Sequence, residues 1–160
     1  MSVLAISETY YDTLKFLHVL SAATWVGGNI YAQVLATKVI GEGDPVHMGR
    51  IAKDLGALGN RLLLPAAVSV LVFGVWLVAA STLNFTDTFV LIGLLGVAIT
   101  IVTGAFFLGP ESGRLGKLAA ERDPADPEIQ QRIRRIVAIS RIDLVVLVLV
   151  VADMVFKPGS

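Results

Sequence analysis

The chain has 160 residues, 55% of them hydrophobic and 16% charged, with a mean hydropathy of +0.76, no net charge and no cysteine. That balance excludes a soluble globule and, for want of a basic surface, a nucleic-acid partner. Without cysteine there is no disulfide, zinc–thiolate site, iron–sulfur cluster or covalently attached c-type haem, so a metal here needs His, Met or carboxylate ligands.

The N-terminal stretch carries Glu8 and Asp12 and no basic residue before Lys15. It lacks the positive n-region of a cleaved signal peptide, and the first helix is read as retained. The apolar residues fall into runs long enough for helices of about 20 residues, the length that crosses roughly 30 Å of hydrocarbon. Spans are expected at about residues 14–37, 62–80 and 88–109, each between charges and with only neutral polar residues inside. A fourth, at about 136–156, contains Arg141, Asp143 and Asp153, and spans if its ends are polar. The expected fold is all-α, a transmembrane four-helix bundle forming a single integral membrane domain over residues 1–160.

Basic residues favour cytoplasmic loops. Lys38, Arg50, Lys53 and Arg61 flank the first connection, and Arg114, Lys117, Arg122, Arg132, Arg134, Arg135 and Arg141 the third, which leaves Lys15 and Lys157 for the other side. Both long loops therefore face the cytoplasm, and both termini lie outside. Each loop contains an Asp-Pro pair, Asp44-Pro45 and Asp126-Pro127, which reads as an N-cap followed by the first helical residue. Superposing the two pairs brings Arg50-Ile51 onto Arg132-Ile133 and Lys53 onto Arg135. The chain then reads as two parallel helical-hairpin repeats, the alternative being two similar caps by chance.

The first helix is the least ordinary. At helical spacing one face carries Lys15, His18, Ala22, Trp25, Asn29 and Gln33, and such a polar face turns away from lipid. His18 is expected about one turn inside the outer end, at the depth where the last turn of helix four presents Asp153 and Met154. Lys15, His18, Asp153, Met154 and Tyr10 or Tyr11 are thus candidates for one site. An imidazole ligates haem iron or copper, and a facing thioether supplies a second ligand. The plainer reading of His18 is an interhelical hydrogen bond, and of Trp25 and Asn29 packing and hydrogen bonding. His47 lies in the cytoplasmic loop, too far for a paired-histidine haem within one subunit.

A second cluster is expected at the cytoplasmic boundary, where Asn60 and Arg61 enter helix two, Glu111 leaves helix three, and Arg141 and Asp143 enter helix four. Two bases facing two acids read as a neutralised structural network. An ion path would need polar residues through the core, and helices two and three supply few. Gly93, Gly96, Thr100, Thr103 and Gly104 form a small-residue stripe on helix three, suited to close helix contact. No nucleophile elbow, phosphate-binding glycine loop or His-Glu zinc motif is present.

Leu14-Lys15-Phe16-Leu17-His18 and Trp25-Val26-Gly27-Gly28 resemble the opening helix of small bacterial membrane proteins related to the copper-resistance protein D and HemJ groups, above all their uncharacterised four-helix relatives. The resemblance implies the bacterial inner membrane and, from the HemJ-type protoporphyrinogen oxidases, a haem b held by a histidine that maps onto His18. Those oxidases also depend on a lysine in a later transmembrane helix, and the third helix here has none. The copper-related members carry further metal-binding residues in periplasmic segments, whereas this chain has three Met and two His.

Three functions follow as expectations. The first is a membrane protein that binds haem or porphyrin near the outer leaflet through His18, for electron transfer or tetrapyrrole handling. The second is an accessory or structural subunit whose polar face docks another membrane protein, or a second copy with paired His18 residues. The third is a small transporter or channel.

Overall fold

The computed structural model describes residues 3–123 and 126–157. All regular structure among them is helical: α1 (Val3–Glu42), α2 (Pro45–Leu58), α3 (Leu64–Ala79), α4 (Thr88–Val102), α5 (Gly109–Glu121) and α6 (Pro127–Phe156), with π-helical turns at Gly59–Leu63 and Thr103–Leu108. The turns join α2 to α3 and α4 to α5 without a break, which makes four rods.

Each π turn stands just before a proline, Pro65 in one case and Pro110 in the other. A proline inside a helix offers no N–H to the carbonyl four residues back, and its ring crowds that carbonyl. Widening the preceding turn relieves both, and the wide turns close through Leu64 N–H to Gly59 O and Gly109 N–H to Gly104 O.

The expected caps form at both Asp-Pro pairs. The Asp126 carboxylate accepts from Glu128 N at 2.8 Å, and that of Asp44 accepts from His47 N at 3.3 Å. The two hairpins differ in one respect: the helix starting at Pro45 contains a π turn, and the helix starting at Pro127 runs unbroken.

α1 packs most extensively on α3, and α4 on α6. Tyr10 of α1 meets Trp76 of α3, and Val78, Phe89, Val90 and Met154 pack together. The start of α1, the end of α3, the start of α4 and the end of α6 therefore share one end of the molecule, the terminal end. At the opposite, loop end, Leu115, Ile129 and Ile133 form a second apolar cluster with Met48 of α2. Between them lies the main core of Trp25, Ala66, Ala67, Val70, Val97, Leu147 and Val150, drawn from all four rods.

Two rods contain stretches long and apolar enough to cross a membrane, Arg50–Ala79 and Thr88–Ala119, each with a mean hydropathy of 2.5 in its most apolar window.

Candidate functional site

The polar face of α1 divides between two neighbourhoods. His18, near the terminal end, is half-buried against α3, with Nδ1 3.0 Å from the Val70 carbonyl. A carbonyl only accepts, so Nδ1 carries the proton and Nε2 keeps its lone pair. Among the described residues nothing bonds Nε2. The ring fits because residue 74 is glycine, where a Cβ would stand 3.1 Å from Cε1 of His18.

Asp153 and Met154 reach the same end but face another helix. The Met154 methyl sits where a side chain on Gly93 of α4 would go, and Asp153 Oδ2 lies beside it, buried and without a partner. The expected convergence of His18 and Met154 is thus corrected: α6 turns this face to α4, whereas α1 turns His18 to α3. Shared depth did not mean a shared face. Lys15 is exposed, and Tyr10 stands edge-on to Trp76 with ring centres 6.2 Å apart. His47 begins α2 and pairs with Glu42 at 2.8 Å.

Farther along α1 the polar residues reach a partly open cavity of about 180 Å³ lined by all four rods on the loop-end side of the core. Trp25, 5% exposed, forms part of its wall. Asn29 donates from Nδ2 to the Trp25 carbonyl at 2.8 Å, which leaves its Oδ1 as an acceptor. Gln33 donates from Nε2 to Ser140 Oγ, and that hydroxyl donates onward to the Val137 carbonyl at 3.2 Å. With the hydroxyl proton committed, the amide must present its NH2 to Ser140, and Gln33 Oε1 is left buried without a partner. Asp143, 8% exposed, also lines the cavity, with no hydrogen bond or ion pair to any described residue. Both π turns contribute to the wall, through Gly59 on one side and Gly104, Ala105 and Leu108 on the other.

This geometry also corrects the expected network of Arg61, Glu111, Arg141 and Asp143. Arg61 and Arg141 are exposed and approach neither acid. Glu111, 8% exposed, pairs instead with Arg132 and, at 3.6 Å, with Arg114. Arg132 also holds Glu128 at 3.0 Å, and Arg122 joins Glu128 at 2.9 Å. The network thus sits one layer nearer the loop end, tying α5 to the start of α6. In the sequence Arg132 is one of many basic residues flanking the third connection, although its position four residues after Glu128 signals a helical pair. The sequence of helices two and three gives little sign of the cavity, because α1 and α6 supply most of its polar groups.

No curated protein and no solved structure matches the chain. A family model does, over residues 12–158, and the chain accordingly belongs to the DUF2269 family, described as a predicted integral membrane protein.

Proposed function

We propose that the chain is a multi-pass protein of the bacterial inner membrane, with all four rods crossing the bilayer and both termini outside, and that it holds a haem b or related porphyrin in the outer leaflet through His18. Exposed apolar residues support the two crossings that composition alone leaves open. Phe16, Val19, Leu20, Ile30 and Val34 cover one side of α1, and Ile142, Val145, Val148, Leu149 and Val155 one side of α6, at a depth where lipid is the fitting neighbour. The orientation rests on the basic residues at the loop end.

The haem reading is carried by the His18 hydrogen bond. A ring Nδ1–H tied to a carbonyl fixes the tautomer and orientation of the imidazole and offers Nε2 as the donor, the usual arrangement of iron-binding histidines. The fit is to one protein ligand, since Met154 faces α4. It is also a fit to the outside of the helices, because neither described cavity is lined by His18. The seam of α1 and α3 offers Tyr10 and Trp76 for a flat macrocycle and Lys15 as a cation for a propionate. Haem there would supply one-electron chemistry, with His18 orienting it. Kinship with the copper-resistance protein D and HemJ groups stands on the opening helix alone.

The test is the oxidised and dithionite-reduced absorption spectrum of detergent-purified protein, expressed with ample haem, beside that of His18→Ala. A Soret band in the parent that is lost in the variant is the expected result. Featureless spectra in both would sink the haem reading.

A second reading has its own observation. The same His18 bond ties α1 to α3, as expected of a structural contact in an accessory subunit. That reading predicts that His18→Ala loosens the protein without spectral change, and that a defined membrane partner or a second copy co-purifies.

A further inference from the structure

The cavity between the four rods is independent of His18, and its chemistry is one-sided. Asp143 is the one charged residue on its wall among the described residues, and it is more than nine-tenths buried with no partner. A carboxylate in that position is costly unless it is neutralised, and a single carboxylate calls for a single positive charge. On the α1 side the polar wall is biased the same way. Asn29 and Gln33 both spend amide donors on protein acceptors, and Gln33 keeps an oxygen that nothing satisfies. No group of three or more His, Cys, Asp or Glu residues able to hold a metal ion occurs among the described residues, which matches a monovalent ligand better than a divalent one. A volume of about 180 Å³ admits a partly hydrated small cation, at roughly 30 Å³ per water, and falls short of the 300 Å³ or so where cofactor pockets begin.

We infer that this cavity is a binding site for a small monovalent cation, an alkali ion or a small ammonium, neutralised by Asp143 and met by the side-chain oxygen of Asn29. Asp143 is then a binding residue rather than a member of a structural charge network. The polar residues of α1 likewise have a role unconnected with porphyrin.

Thermal unfolding of the full-length protein in detergent, followed by tryptophan fluorescence, tests this. NaCl, KCl and methylammonium chloride are titrated separately, with N-methylglucamine chloride holding the ionic strength constant. At least one small cation should raise the Tm saturably, and the responding salt distinguishes an alkali ion from an ammonium. Asp143→Asn should weaken that response about tenfold or more, the scale of one charge-assisted contact. Ala32→Leu, which fills the cavity and leaves every polar group in place, should weaken it as well, and it carries the test if Asp143→Asn does not fold. Coincident Tm values in all the salts, or a parental response in Ala32→Leu, would overturn the site and leave a protonated Asp143 beside water.

Discussion

Where α4 meets α6 near the terminal end, Gly93 and Gly96 admit Met154 and Val150 so closely that a Cβ on either glycine would collide with the facing side chain. Around the inner cavity, a Cβ on Gly56, Gly59 or Gly104 meets nothing within 4 Å. The same residue type serves opposite ends. In one region glycine lets two helices touch, and in the other it leaves space between them. The terminal half is filled to contact, while the loop-end half holds a void whose largely apolar wall carries a few polar groups. A small-residue stripe in an apolar helix therefore has two meanings, and only the partner across the gap tells which applies.

The largest test of that contrast is Gly93→Val. Extra methyls in a filled contact force side chains and backbone apart, and a loss of about 1–3 kcal/mol is expected, measured as reversible unfolding in mixed micelles. No loss would mean that the α4–α6 contact is looser than drawn. Gly56→Ala should shift stability the other way. It adds a methyl to open space in the interior of α2 and removes the backbone freedom of glycine, for a gain of up to about 1 kcal/mol. Destabilisation there would show that the cavity wall is already crowded.

The smallest effect concerns the loop end. The Arg132 guanidinium hydrogen-bonded to Glu128 holds that carboxyl below its usual range. A pKa depressed in the native state gives stability that is complete above the unfolded value, near 4.5, and is lost as the pH falls through the native one. The Tm difference between the parent and Glu128→Gln should therefore be present at neutral pH and close on acidification below about 4.5. A difference constant down to acid pH would remove the pair from the account.

The rods were legible because hydropathy runs and Asp-Pro caps are local signals, and four rods, two of them opening on those caps, are what the described residues form. Which faces meet was not. His18 and Met154 share a depth that sequence can estimate, yet pairing α1 with α3 and α4 with α6 sends them to different neighbours, and that choice is made by Gly74 and Gly93 jointly with their partners. The ion network was half legible. Glu111 stands out at the end of an apolar run, but its partner Arg132 lies 21 residues on, across a loop whose length fixes no register. In sequence Asp143 is a charge near a boundary, and its burial without a partner shows only in three dimensions. Pro65 and Pro110 stood in plain view inside or beside the apolar runs, although hydropathy does not tell a proline that ends a helix from one that widens a turn.

Those two prolines also mark where each rod carries one residue more than a plain α-helix needs. A residue advances an α-helix by about 100°, and a π turn absorbs one extra residue without ending the rod. Deleting a single residue within Gly59–Leu63 would let α2 and α3 join as plain α-helix with α3 keeping its angle to α2, while returning the Pro65 ring to the carbonyl four residues back. The same deletion in the plain helix between Pro65 and Val70 has no slack to draw on, and would turn Val70 and Gly74 about 100° away from His18.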